Sequence, residues 1–333
     1  MARLNTPPTS PGLAGTPHDP ALAVQVGPLR LNNPILTASG TFGYGLEFEE
    51  LVDLSAIGGL CTKGLSLHPH AGNRPPRICE TPAGMLNAIG LQNVGVEVFV
   101  REKLPRLREL GATVIANVWG DLEEDYAAVV GALEDAEGIA AIELNISCPN
   151  VERGGMLFGN SPPATASLVA RVRRATRRPL VVKLSPNAPD LVASARAAFE
   201  SGADVLSLVN TFVGMAIDPE TARPRLSFGT GGLSGPAIKP LAVRMVYQVA
   251  RALPQAPLMG IGGIAELEDV LEFLAAGAGA VQVGTANFRD PGVSGRLVGE
   301  LSAYCARRRT TAEALSGRAH RVAVPAGEAG AEG

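Results

Sequence analysis

The chain has 333 residues, 46% of them hydrophobic and 18% charged, a core-forming composition that excludes an extended disordered protein. The formal charge is −3 with no basic block, and aromatic residues make up only 4%, so neither a nucleic-acid surface nor a base-stacking platform is supported. The 39 glycines sit at the ends of apolar runs without a fixed period, which removes collagen and low-complexity readings and leaves a soluble globular enzyme as the expectation.

Residues 1–20 are rich in Pro, Thr, Ser and Gly and lack the apolar stretch of a secretory signal, so they read as a disordered extension. A short pair, Leu22–Val26 and Leu29–Leu31 around Gly27-Pro28, reads as a hairpin capping the bottom of a barrel. Eight apolar runs then come in order: Ile35–Ser39, Gly59–Lys63, Thr113–Asn117, Ala141–Ile146, Leu180–Leu184, Val205–Asn210, Leu258–Gly262 and Ala280–Gly284. They are continuously hydrophobic and do not alternate, as parallel strands buried on both faces require. Helical patterns come after most of them: Val98–Leu110, Glu123–Leu133, Ala164–Arg177, Leu191–Ser201, Pro240–Leu253 and Leu267–Ala275.

Eight strands alternating with helices predict an α/β (β/α)8 TIM barrel with an N-terminal hairpin and long top-face loops, in one domain over 21–310. A Rossmann-type sheet fits less well, because no GxGxxG comes after the first strand. Segments 64–96 and 211–235 are the long loops, expected over the barrel top. Residues 311–333 form a tail whose last part, from 322, reads as disordered. The longest apolar stretch, Val270–Ala286, is interrupted by Glu272, Gln282 and glycines, so no membrane span is expected and the cytoplasm is the expected location.

Cys61, Cys79, Cys148 and Cys305 are 18, 69 and 157 residues apart with no CxxC, which suits neither a disulfide framework nor a local cluster-binding run. The four histidines form no HExxH, and His68 and His70 flanking Pro69 are a poor metal pair, so no metal is expected. The informative residues are polar ones at strand ends: Ser39, Lys63, Asn117, Asn145, Lys183 and Asn210. Singly, each reads equally well as a turn or cap; together, barrel geometry sets them around one pocket. Gly260-Ile-Gly-Gly263 ends the seventh strand and Gly284-Thr285 the eighth, where barrels commonly hold a phosphate on bare backbone N–H groups. In Glu143-Leu-Asn-Ile-Ser-Cys-Pro-Asn150 a strand ends and Cys148 is presented before a proline, on a glycine-containing loop running to Gly159. A thiol with a pKa of about 8.5 can act as a base near neutrality when its surroundings assist. Cys61 and Cys305 instead read as small buried apolar residues.

The segments Asn87-Ala-Ile-Gly-Leu-Gln-Asn93, Glu143–Asn150, Val182-Lys-Leu-Ser-Pro186, Val209-Asn-Thr211, Gly231-Gly-Leu-Ser-Gly-Pro-Ala-Ile-Lys239 and Gly260–Gly263 resemble, in this order, the class 1 dihydroorotate dehydrogenases over roughly residues 20–310. The cysteine followed by Asn-Val-Glu-Arg-Gly-Gly, with Thr211 after Asn210, is more similar to the NAD-linked class 1B catalytic subunit than to the fumarate-linked class 1A enzyme. Class 2 members, with a serine base and an N-terminal membrane segment, fit less well.

That resemblance implies FMN across the barrel mouth, its phosphate held by Gly235, Gly262, Gly263, Gly284 and Thr285 and its ring contacted by Ser39, Lys63, Gly64, Asn117, Asn145, Lys183 and Val209. Gly64 stands where relatives commonly carry a larger residue, a change that a backbone contact survives. Dihydroorotate would be bound by Lys63, Asn87, Ala88, Ile89, Gly90, Leu91, Asn145, Asn150, Asn210 and Thr211, with Cys148 as the base. The resemblance further implies a homodimer joined by an electron-transfer subunit carrying FAD and an iron–sulfur cluster, a heterotetramer in all. A dihydropyrimidine dehydrogenase domain shares a similar Ser-Cys-Pro loop, a non-redox barrel isomerase or aldolase would bind a sugar phosphate at the same glycine turns, and a pure binding module fits least.

Overall fold

Runs of Val, Ile and Leu without polar interruption are stable only where both faces of a strand are covered, and the chain arranges them that way. A computed structural model of the protein describes residues 18–146 and 155–322. Most of the expected N-terminal extension (1–17), the end of the tail (323–333) and the segment 147–154 lie outside the described residues.

The strands are β1 (Val24–Val26), β2 (Leu29–Leu31), β3 (Ile35–Thr37), β4 (Gly59–Cys61), β5 (Ile78–Thr81), β6 (Gly84–Asn87), β7 (Val114–Val118), β8 (Ile139–Asn145), β9 (Leu180–Lys183), β10 (Val205–Leu208), β11 (Phe212–Met215), β12 (Ile217–Asp218), β13 (Arg223–Pro224), β14 (Thr230–Ser234), β15 (Leu258–Ile261) and β16 (Ala280–Val283). β3, β4, β7, β8, β9, β10, β15 and β16 pair in parallel, in that order, and close into a barrel. This is the expected (β/α)8 TIM barrel, and each of the eight strands falls inside or across an apolar run read from the sequence. Helices Glu123–Glu134, Pro162–Ala175, Leu191–Glu200, Lys239–Ala252, Leu267–Ala275 and Val293–Arg308 pack outside it. The wall is buried along these strands except at the half-buried Ala140 of β8, and their apolar side chains belong to one continuous core with those of the helices.

The hairpin β1–β2 alternates buried and exposed residues, with Val24, Val26, Leu29 and Leu31 inward. Its turn at Gly27 lies against Asp204, Val205 and Pro257, at the N-terminal ends of β10 and β15, so it covers the barrel bottom as expected. Residues 18–22 are tied down: Asp19 accepts from the Ala21 amide (2.9 Å) and from the Ser302 hydroxyl (2.5 Å) of the last long helix. Ala312–Leu315 forms one more helical turn, with Ala312 and Leu315 buried.

Three differences from the sequence reading have physical causes. β3, β4 and β10 stop short of Ser39, Lys63 and Asn210, because the chain turns outward there and Lys63 N already donates to Gly43 O (2.8 Å), whereas Asn117, Asn145 and Lys183 lie within β7, β8 and β9. The helix expected over 98–110 is Val96–Val98, a π-turn Phe99–Lys103 and Leu104–Glu109, widened where Pro105 can supply no backbone donor. Finally, the two long loops contain strands. β5 and β6 from the first, and β11 and β14 from the second, form a four-stranded antiparallel sheet in the order β11-β14-β6-β5, which we call the roof.

Candidate active site

A cavity of about 340 Å³ opens between the C-terminal ends of the barrel strands and the roof, within the range of small-ligand sites. All twelve residues assigned to a cofactor line it: Ser39, Lys63, Gly64, Asn117, Asn145, Lys183, Val209, Gly235, Gly262, Gly263, Gly284 and Thr285. Of the substrate residues, Lys63, Asn87, Ile89, Gly90, Leu91, Asn145, Asn210 and Thr211 line it too. Ala88 does not. Its side chain is buried with Leu86 and Leu226 beneath the roof, its N–H donates to Arg77 O (2.7 Å), and its carbonyl accepts from Asn73 Nδ2 (3.0 Å). Cys148 and Asn150 lie outside the described residues.

One side of the cavity suits an anion. The turn Gly262-Gly263 after β15 meets Gly235, which precedes the short turn Pro236–Ile238 and the helix Lys239–Ala252. Gly263 has φ +73°, and a Cβ there would fall 2.8 Å from Lys239 Cβ and 2.9 Å from the Gly235 carbonyl oxygen. Only glycine lets these two turns approach so closely. Thr285, next to Gly284 at the end of β16, donates to Ser234 Oγ (2.8 Å) and so ties the barrel end to the roof. Lys239 faces away from the cavity and is held by Asp269 (2.7 Å) and Glu272 (2.9 Å), which leaves backbone amides and the Ser234 hydroxyl as this side's donors.

The other side is cationic and amide-rich. Lys183, at the end of β9 and nearly fully buried, donates to Ser39 Oγ (3.2 Å). Lys63 is half-buried; removal from water, and next the neighbouring Arg77, push its pKa below the usual 10.5 against a smaller upward pull from Glu47. Asn210 Nδ2 donates to Asn145 Oδ1 (3.2 Å), and the Tyr126 hydroxyl donates to Asn145 O (2.7 Å), so two site amides are aligned by each other and by a helix outside the barrel. Leu91, with φ +56°, and Gly90, with φ +70°, place the 89–91 loop at the cavity edge in a left-handed conformation that is costly for Leu91.

Sequence reasoning passed over one residue of this centre. Glu143 is fully buried inside the barrel beneath the cavity, accepting from Asn117 Nδ2 (2.7 Å), Ser207 Oγ (2.9 Å) and Gln282 Nε2 (2.8 Å). The signal was present: a carboxylate in the middle of the apolar strand Ile139–Asn145. Among the described cysteines, Cys61 is fully buried, and burial first, then Glu143, raises its thiol well above 9.0; Cys79 is partly exposed on the roof, and Cys305 is buried in the last long helix. No cysteine among the described residues lines the cavity, and no group of three or more His, Cys, Asp or Glu among them could hold a metal.

A parallel barrel with a buried and a half-buried lysine, paired amides and a glycine-lined anion side at one mouth defines a TIM-barrel enzyme with a cofactor-sized active site. The dihydroorotate dehydrogenase family profile matches residues 21–304. The dihydroorotate dehydrogenase B (NAD(+)) catalytic subunit of Geobacter sulfurreducens is 56% identical over 287 residues, covering 86% of this chain and 94% of that one. The protein of the same name from Citrifermentans bemidjiense is 54% identical over 285 residues, 86% of this chain and 93% of its own. A Solibacter usitatus relative, provisionally named dihydroorotate dehydrogenase A (fumarate), is 55% identical over 288 residues, 86% and 94%. The chain belongs to the dihydroorotate dehydrogenase family, whose members are flavoprotein oxidoreductases.

Proposed function

We propose that the protein is the FMN-bearing catalytic subunit of an NAD-linked dihydroorotate dehydrogenase, oxidising dihydroorotate to orotate in pyrimidine biosynthesis. The observation that carries this reading is the convergence of all twelve cofactor positions on one cavity at the barrel mouth. Two features fit a flavin mononucleotide: a glycine-lined side that a Cβ would fill, and the Oδ1 of Asn117, a buried acceptor without a partner among residues lining the ring side. The phosphate would rest on Gly235, Gly262, Gly263, Gly284 and Thr285, and the ring against Ser39, Lys63, Gly64, Asn117, Asn145, Lys183 and Val209. When bound, FMN supplies the two-electron acceptor for a hydride.

The chain's own groups perform the rest. The Lys63 cation pairs with the substrate carboxylate, while Asn87, Asn145, Asn210 and Thr211 offer donors and acceptors that match a pyrimidine imide. Asn150 belongs to the same set by resemblance. Cys148 takes the proton from C5 and C6 loses a hydride, so two C–H bonds break and the C5=C6 bond forms. Lys183 places a positive charge where the cofactor gains electron density.

The relatives named as catalytic subunits support a further subunit bearing FAD and an iron–sulfur cluster on the path to NAD, with a cytoplasmic heterotetramer as the assembly. Fumarate as acceptor is the second reading, favoured by the Solibacter usitatus relative. The deciding experiment extracts the flavin from purified protein with acid and follows anaerobic bleaching by dihydroorotate. FMN with orotate formation is expected; a colourless protein, or one bleached by dihydrouracil and not by dihydroorotate, overturns the proposal.

A further inference from the structure

Resting on the FMN reading above, we infer that Glu143 is a positioning residue that fixes the sense of the Asn117 side-chain amide, so that Asn117 offers the cofactor an acceptor and not a donor. An amide can be turned end for end at little cost, and nothing in Asn117 itself chooses. The choice is made from below. Glu143 Oε1 accepts from Asn117 Nδ2 (2.7 Å), and a carboxylate has only acceptors to offer. The Asn117 backbone N–H is also held, by Thr62 Oγ1 (3.1 Å). Asn117 Oδ1 is left on the cavity side, 3.1 Å from where a Cβ on the cavity-lining Gly64 would stand, buried and without a partner among the described residues. An unpartnered buried acceptor is costly unless a ligand donor meets it, and an oxidised flavin ring carries one imide N–H.

Glu143 is itself held in one orientation. Its second oxygen accepts from both Ser207 Oγ (2.9 Å) and Gln282 Nε2 (2.8 Å). In Glu143→Gln, two donors therefore keep the remaining oxygen on their side, and the new NH2 faces Asn117. Asn117 must then invert, presenting Nδ2 to the cavity. In Asn117→Asp alone, two carboxyl groups face each other. The pair Asn117→Asp with Glu143→Gln reverses the direction of their hydrogen bond, satisfies Ser207 and Gln282 as before, and restores an acceptor at the cavity.

The test is FMN titration, by flavin fluorescence, of flavin-stripped full-length wild type, both single variants and the double, with melting of each flavin-free chain alongside. Each single variant should raise the FMN dissociation constant about tenfold, the loss of one buried hydrogen bond. The double should return to within about threefold of wild type. A Glu143→Gln chain with wild-type FMN affinity overturns the inference. So does a double variant that melts like wild type yet binds as weakly as Glu143→Gln, or one that does not fold. A wild-type chain that takes up no FMN removes the functional reading, and this inference with it.

Discussion

Lys63 and Lys183 are both cations at the cavity, yet their settings give them different tasks. With its pKa pushed below 10.5, Lys63 becomes neutral earlier in an alkaline titration than an ordinary lysine. A ligand carboxylate pairs with the protonated form only, so orotate affinity should be full at neutral pH and fall as pH rises through that lowered value. Lys63→Ala should weaken orotate binding about 10- to 100-fold at pH 7, the range for a charged hydrogen bond, and flatten the pH dependence. Flavin difference spectra measure both, and a steep alkaline fall retained in Lys63→Ala would assign the titration elsewhere. Cys148→Ala should leave FMN bound while slowing flavin reduction by dihydroorotate about 10²- to 10⁴-fold, the usual loss on removing a positioned base. Cys148→Ser should also be slow, because a hydroxyl is far less acidic than a thiol. Stopped-flow bleaching at near-normal rate in Cys148→Ala would remove the residue from that role.

At the scale of elements, the cavity divides into an anchoring side made of turns and a tuning side made of strand ends. Gly263→Val should reduce FMN retention by about tenfold or more, since the added side chain meets the Gly235 carbonyl and forces the two turns apart. Lys183→Ala should leave FMN in place but lower its reduction potential, because it removes positive charge at the ring side. The same defect in both variants, by ultrafiltration and redox titration, would refute that division. The barrel strands were legible because burial on both faces writes a continuous apolar run. The roof strands were not, and β14 shows why: in Thr230-Gly-Gly-Leu-Ser234 the glycines read as a turn. They are there for proximity, since a Cβ on Gly231 would meet the Asn87 carbonyl at 2.6 Å and one on Gly232 would meet Thr211. Strand-end polar residues were legible only as a set, but Glu143 was hidden inside an apolar run, and Ala88 sits in the right motif with both backbone groups already paired.

For the whole molecule, the question is where the electrons go after each turnover. Relatives bearing the NAD-type and fumarate-type names match this chain equally well, so overall identity does not choose between acceptors. Under the NAD-linked proposal, the isolated chain should reduce dichloroindophenol at the expense of dihydroorotate yet form no NADH from NAD until its electron-transfer subunit is added. Appreciable NADH from the single chain, or rapid turnover with fumarate alone, would overturn that assignment. No helix among the described residues is long and apolar enough to cross a membrane.

The roof also sets an order of assembly. Asn87 of β6 pairs with Gly232 of β14, 145 residues further along, and the four consecutive barrel strands β7 to β10 lie between them in the chain. Bringing such distant segments together is entropically expensive until the intervening chain has condensed, so the roof is the last part of the cavity to close. Its four short strands include residues on open surface, such as Ile78, Val213 and Met215, whereas the barrel wall beneath is sealed. In native-state hydrogen exchange, amides of β6 and β14 should therefore exchange through openings that leave β7 to β10 protected, and bound FMN with orotate should slow them most. Uniform protection of roof and wall in the ligand-free chain would show instead that the two open as one unit.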